Sequence, residues 1–226
     1  MGLNLIFSIG IVGGTGSLGS GLAKRWSIAG HSVLIGSRDI ERASQTASEI
    51  SAVTGQNVGY GSNISVARDA DIVVISVPFG AQGRALEEIK HVVSGKVVID
   101  TTVPLVPPRV MRVQLPKEGC AALCAAKILG DTVRLVSAFH NVAASKLAAD
   151  GDILCDTLVF GDDKAARAIV VGLANDAGLR GFHAGPLVNS VAAEALTSIQ
   201  IFINKNYGID AGGIMVTGEI TKSVDE

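Results

Sequence analysis

Cysteine is scarce in this chain, which has only Cys120, Cys124 and Cys155. An odd number at these spacings makes no disulfide framework. Cys120 and Cys124 stand four apart with no further His or Cys at suitable spacing, so buried structural thiols are expected rather than a metal site. Aromatic residues make up only 4% of the chain, against 27 glycines. That balance suits a nucleotide-binding α/β protein with many turns, in which backbone groups make much of the ligand contact. Charge is low as well, 18% of residues with a formal net charge of -2. Neither a nucleic-acid footprint nor a polybasic membrane patch is present, and small molecules are the expected partners. No apolar run is long enough to span a bilayer, despite a mean hydropathy of +0.42, and a soluble protein is expected. Residues 3–12 are largely apolar, but no basic residue precedes them and the run ends in glycines, so export is not expected and the cytoplasm is the expected location.

What the chain does have is a stretch near its start around which the rest is organised. Ile9-Gly10-Ile11-Val12 is an apolar run too short for a helix, and it leads into Gly13-Gly14-Thr15-Gly16-Ser17-Leu18-Gly19. Behind it Leu18, Leu22, Trp26 and Ala29 recur at helical spacing. The order is strand, turn, helix, and Gly14 to Gly19 satisfies the G-x-G-x-x-G dinucleotide fingerprint. A pyrophosphate placed there rests on the free N–H groups of a helix N-terminus.

The end of the second expected strand, Ser32 to Gly36, selects between the two nicotinamide dinucleotides. An NAD-preferring fold places Asp or Glu there to hold the ribose 2'-hydroxyl. This chain places Ser37 and Arg38 there instead, a hydroxyl and a guanidinium suited to a 2'-phosphate. Asp39 next door reads as the cap of the following helix, and Arg42, one turn beyond Arg38, as a second phosphate contact. NADP is the expected cofactor.

Further along, helix is expected over residues 40–54 and a short strand at Val58-Gly59-Tyr60. Asp71 to Ser76 is the continuous apolar run of a strand buried on both faces, stopped by Val77-Pro78. Ligands in such sheets sit outside the carboxyl ends of the strands, which puts Ser76, Val77 and Pro78 beside the dinucleotide. A helix from 81 to 93 and a strand from Lys96 to Asp100 follow. Residues 101–119 then hold Pro104, Pro107, Pro108 and Pro116, an extended crossover rather than a regular element. After a helix near 118–129 and a strand from Thr132 to Ser137 comes Ala138-Phe139-His140-Asn141-Val142-Ala143-Ala144. His140 there is either a donor of a proton or hydrogen bond near the nicotinamide, or a histidine satisfying local backbone groups. Strands at 158–161 and 179–184 flank a helix at 163–176. From Leu187 a helix of unusual apolar breadth runs through Val188, Val191, Ala195, Ile199, Phe202 and Ile203, either central to a core or buried against a partner subunit, and a short strand is expected within 211–218. The fold expected is a Rossmann-type, doubly wound α/β domain over residues 1–184, with a small C-terminal acceptor-side and dimerisation segment over 185–226.

As a whole the chain resembles the NADPH-dependent reductases of the deazaflavin coenzyme F420. The resemblance is carried by Gly13 to Leu18 with Gly36-Ser37-Arg38, by Val77-Pro78, and by Ser137-Ala138-Phe139-His140-Asn141. It continues through Gly161-Asp162-Asp163, Gly185-Pro186-Leu187 with Asn189, Glu194-Ala195-Leu196-Thr197, and Ile203-Asn204 with Tyr207. It implies that Thr15, Ser37, Arg38 and Arg42 hold the 2'-phosphate and that Ser17 and Leu18 meet the pyrophosphate. Val77, Pro78, His140, Asn141, Val142 and Ala144 would then line the nicotinamide side, and Asn189, Val191, Ala195 and Thr197 the acceptor side. The implied reaction is direct hydride transfer between nicotinamide C4 and deazaflavin C5, with no nucleophile and no metal; the apolar breadth of the helix from Leu187 separately predicts a homodimer. Where the family pattern has an arginine and a serine near the acceptor, this chain has Val191 and Ala195. A flavin, a pterin or a small imine or carbonyl therefore stays open as the acceptor, as does a non-catalytic NADP-binding role.

Overall fold

The apolar run and the helical spacing behind it become β1 (Ser8–Val12) and α1 (Ser17–Ile28), joined by the glycine turn. The computed structural model describes residues 5–222, so the first and last four positions of the two expected ranges lie outside the described residues. The chain continues through β2 (Ser32–Ser37), α2 (Ile40–Thr54), β3 (Gly59–Ser62), α3 (Asn63–Asp69), β4 (Ile72–Ile75) and α4 (Phe79–Ile89). Then come β5 (Val97–Asp100), α5 (Ala121–Leu129), β6 (Arg134–Ser137), α6 (Ala144–Ala148), β7 (Asp156–Gly161), α7 (Lys164–Asp176), β8 (Arg180–His183) and α8 (Ser190–Tyr207).

The strands form one sheet in the order β3-β2-β1-β4-β5-β6-β7-β8. All neighbours are parallel except β6 and β7. Strand alternation supplies both faces at once. In β4, Ile72 and Val74 join a core with Leu22 and Trp26 of α1, whereas Val73 and Ile75 join a second core with Leu86 of α4 and Ala125 of α5. Such double-faced burial explains the uninterrupted apolar character of the run. Trp26 ties the first layer together: its Nε1–H donates to the Leu173 carbonyl at 2.8 Å, and its ring meets Phe139 edge to face at 5.7 Å. An aromatic pair of this kind adds roughly 0.5–1.5 kcal/mol beyond its area.

Chain order reverses between β1 and β4, which opens a crevice at the carboxyl edge of the sheet. The register Ile75↔Asp100↔Ser137 puts the ends of β4, β5 and β6 level along that edge.

Three elements differ from expectation. α3 was not anticipated; Ser62 caps it, its hydroxyl accepting from the Ser65 N–H at 3.1 Å. Cys120 is the residue before α5, so only Cys124 lies inside that helix. Residues 211–218 form no strand, yet they are pinned along β7, where Asp156 N–H donates to the Ile214 carbonyl at 2.8 Å and Arg180 reaches the Val216 carbonyl at 2.7 Å. Residues 101–119 hold no regular element, as expected. The Gln114 side chain braces them by donating to the Val106 and Arg109 carbonyls, and Ser198 of α8 donates to the Arg112 carbonyl at 3.3 Å. Among the described residues no helix is long and apolar enough to cross a membrane.

Candidate functional site

A cavity of about 500 Å³ lies at the crevice. Its walls come from the glycine turn (Gly13, Thr15, Gly16), the end of β2 (Ser37, Arg38, Asp39, Arg42), Asn63, and the end of β4 with the first turns of α4 (Ser76, Val77, Pro78, Arg84). Gly13 makes the bend with φ +76°, one position before the fingerprint; a Cβ there would stand 2.5 Å from Val77 Cγ1. At Gly16 the opposite holds. A Cβ would meet the Gly13 carbonyl oxygen at 3.5 Å and the Ser76 carbonyl oxygen at 4.0 Å, ordinary contacts, so the protein itself does not demand glycine at this position. No side chain caps α1 at Gly16, which leaves its first N–H groups to a bound anion.

The side chains expected to read a 2'-phosphate line this cradle together. Ser37 is buried, and its hydroxyl accepts from the Asp39 N–H at 3.1 Å. The Asp39 carboxylate accepts from the Arg42 N–H at 3.1 Å and so serves as the helix cap. That leaves the exposed Arg38 guanidinium without a carboxylate partner among the described residues. Arg42 arches over to the Thr15 carbonyl at 3.5 Å. A hydroxyl and two guanidinium groups around one opening fit a phosphate monoester.

Sequence reasoning missed two residues of this cavity. Asn63, 4% exposed, accepts from the Gly13 N–H at 3.3 Å and so positions the glycine turn. Arg84 of α4 adds a third guanidinium to the cavity wall. The Ser62-x-x-Ser65 cap is a legible signal for the first. The second was readable only as a cation on the helix that follows the switch-point strand.

The remaining expected site residues lie outside this cavity's lining. Gly14 is buried in the turn, Ser17 is exposed at the start of α1, and Leu18 packs against the core. Phe139 takes φ +66°, in the left-handed region, at a cost on the order of 1–3 kcal/mol. Its ring is held in the core while the chain turns to place His140. The Asn141 amide donates to the Ala193 carbonyl at 3.1 Å and to Thr197 Oγ1 at 3.2 Å, and Thr197 Oγ1 donates to the His140 carbonyl at 3.1 Å. Asn141 and Thr197 thus fasten the His140 loop to α8. Val142 lines a separate 250 Å³ cavity with Lys146, Cys155 and Gly212, and Ala144 begins α6. Asn189 stands at the start of α8 with its amide on the Ala184 carbonyl at 3.3 Å. Val191 packs against the second core, and Ala195 is half-buried on the same helix.

Below the edge of the sheet lies a buried polar cluster. Ser137 Oγ stands 2.8 Å from His140 Nε2 and 2.7 Å from Ser190 Oγ. Ser190 Oγ–H donates to Glu194 Oε1 at 2.9 Å, and the Glu194 carboxylate accepts the Ala121 and Ala122 N–H groups of α5 at 2.6 and 3.1 Å. Asp100 accepts from Gln82 at 2.6 Å and from the Thr102 N–H at 3.1 Å. Burial pushes the His140 imidazole down to about 3, so it is neutral at physiological pH. Burial also raises Glu194 and lifts Asp100 to about 7. The Cys120 and Cys124 thiols are pushed up to about 11, mainly by burial, which makes them poor nucleophiles.

Residues 8–104 match the family model described as "NADP oxidoreductase coenzyme F420-dependent". Over 222 residues the chain is 36% identical to the F420-dependent NADP reductase of Methanothermobacter thermautotrophicus, covering 94% of this chain and 96% of that one. It is 32% identical to the protein of the same name from Methanocaldococcus jannaschii, over 92% of this chain and 97% of that one. A crystal structure from Arthrobacter sp. FB24 superposes with a TM-score of 0.82 at 22% identity, covering 94% of this chain and 100% of that one, and at that identity it bears on the fold alone.

Proposed function

The chain belongs to the family of F420-dependent NADP reductases, and on that premise we propose that it transfers a hydride between NADPH and the deazaflavin coenzyme F420. The observation that carries the NADP half is the cradle in which Thr15, Ser37, Arg38 and Arg42 surround one opening beside the uncapped α1 N-terminus. When bound, the two cofactors supply the chemistry, a hydride passing between nicotinamide C4 and deazaflavin C5. The chain's own residues bind, orient and exclude water. In this reading Ser17 and Leu18 offer backbone N–H groups to the pyrophosphate, and Ser37, Arg38 and Arg42 hold the 2'-phosphate. Val77, Pro78, His140, Asn141, Val142 and Ala144 set the nicotinamide side, and residues 185–226, through Asn189, Val191, Ala195 and Thr197, set the acceptor side.

The working form is proposed to be a cytoplasmic homodimer. α8 supports this: it buries Ser190, Ala193, Glu194 and Ser198 and turns its large apolar residues outward, Phe202 being 51% and Ile199 46% exposed. The three free thiols suit a reducing compartment.

Anaerobic mixing of NADPH with oxidised F420 tests the reading. The deazaflavin absorbance is expected to bleach in step with NADPH oxidation. Oxidation of NADPH by a flavin, pterin, imine or carbonyl, and never by F420, would reassign the acceptor. Tight NADPH binding with no transfer to any acceptor would make the chain a regulatory protein.

A further inference from the structure

The cavity runs beyond the phosphate cradle along α4. Its wall there is Ala81, Arg84, Ala85 and Glu88, which recur at helical spacing and so form one stripe of the helix. The adjoining stripe of Gln82, Leu86 and Ile89 is buried in the protein. α4 begins directly after Pro78 at the sheet edge, and Glu88 stands seven residues beyond Ala81, about 10 Å along the axis. Two features of this stripe have no part in holding a phosphate. Ala81 and Ala85 carry only a methyl group each, which leaves a flat apolar strip between charged neighbours. Glu88 is an acid in a wall that also holds three guanidinium groups, and a carboxylate repels a phosphate.

Glu88 also lacks a partner of its own. Arg84 lies four residues before it, the spacing of a helical ion pair, yet the ion pair at this end of α4 joins Lys90 to Glu87 at 2.6 Å, and Glu88 pairs with nothing among the described residues. The other acid of the wall, Asp39, has its carboxylate on the Arg42 N–H. A carboxylate can only accept, so the ligand group that Glu88 meets must be a donor. In the adenosine half of NADP the phosphates are acceptors, and the ribose 3'-hydroxyl sits beside the 2'-phosphate. The base offers one exocyclic donor, its N6 amino group.

We infer that α4 reads the base of the dinucleotide: Ala81 and Ala85 form the surface on which adenine lies, and Glu88 accepts a hydrogen bond from its N6 amino group. Glu88 is on this account a specificity residue that separates adenine from a 6-oxopurine. The inference rests on the NADP reading above and extends the site from the 2'-phosphate to the base.

Titration calorimetry with deamino-NADP⁺ tests it. In this analogue hypoxanthine replaces adenine, so a carbonyl oxygen stands where the amino group was, and the 2'-phosphate is unchanged. The wild type is expected to bind NADP⁺ roughly tenfold more tightly than the analogue, the size of one hydrogen bond to a charged group at a half-exposed site. Glu88→Gln can turn an amide N–H toward the 6-oxo group and should bring the ratio to one or below. Glu88→Ala should bring it to one by weakening NADP⁺ alone. Both variants are expected to keep the preference for NADP⁺ over NAD⁺, which is set at Arg38. A wild-type ratio of one with that preference intact sinks the proposal and spares the NADP reading, as does a ratio that survives in both variants. Equal weakening of both nucleotides by Glu88→Ala would move Glu88 to a ribose hydroxyl and likewise overturn the base assignment. A wild type with no preference for NADP⁺ over NAD⁺ sinks the NADP reading itself. Glu88 is half-exposed and lies outside both cores, so neither variant threatens the fold, and the wild-type ratio decides on its own.

Discussion

Arg38, Arg42 and Arg84 place three guanidinium groups in the wall of one cavity, and their roles separate by what else each touches. Arg42 already reaches the Thr15 carbonyl, and its backbone is capped by Asp39. Arg38 has no such commitment, so its charge is free for a ligand phosphate. Arg38→Ala should weaken NADPH by about 1.5–3 kcal/mol, the range for a hydrogen bond to a charged group, and leave NADH nearly untouched. Titration calorimetry with both nucleotides checks this, and equal losses would remove Arg38 from the 2'-phosphate site. This expectation could be drawn from the sequence because the strand end and the residue after it are adjacent in the chain. Arg84 was not, because nothing local says which face of α4 looks into the crevice.

At the scale of elements, α8 reverses the usual arrangement of an amphipathic helix. The face toward the sheet carries Ser190, Ala193, Glu194 and Ser198, held by hydrogen bonds to α5, to Ser137 and to the 101–119 strap. The face toward solvent carries Ile199, Phe202, Ile203 and Tyr207, each at least 40% exposed. Apolar breadth in the sequence correctly marked the helix as unusual but could not say which stripe faced the molecule, because small and polar side chains lay in the inner one. Under the homodimer proposal, Ile199→Asp with Phe202→Asp should halve the mass measured by sedimentation equilibrium and leave the circular dichroism unchanged. A wild-type protein that sediments as a monomer would end that proposal. The pinned tail at 211–218 escaped the sequence for a similar reason, being held by Asp156 and Arg180, distant in the chain, whereas α3 carries a local signal in its Ser62 cap.

At the scale of the whole molecule, the polar cluster under the sheet edge couples folding to pH. His140 keeps its proton off down to about pH 3, whereas the unfolded chain takes one up near the ordinary imidazole value of 6.5. Its contribution to stability is therefore present above pH 6.5 and lost as pH falls from 6.5 toward 3. Asp100, raised from 3.8 to about 7, acts with the opposite sign: its contribution is present at low pH and lost as pH rises through that interval. Comparing wild type with His140→Gln isolates the first effect. Urea midpoints should show the wild type losing ground to the variant as pH drops below 6.5, and a pH-independent difference would count against a buried neutral imidazole. By itself the sequence determined the doubly wound sheet and the glycine turn, and it pointed to a 2'-phosphate at Arg38, because apolar alternation, glycine spacing and a strand end next to Arg38 are all local patterns. Only the tertiary structure decided that Asn63 steadies the turn, that Arg84 shares the cavity, and that Ser137, Ser190 and Glu194 form one chain to His140. Those groups come together through contacts between elements tens of residues apart, and the direction of a hydrogen bond is set by the partner that folding brings to it.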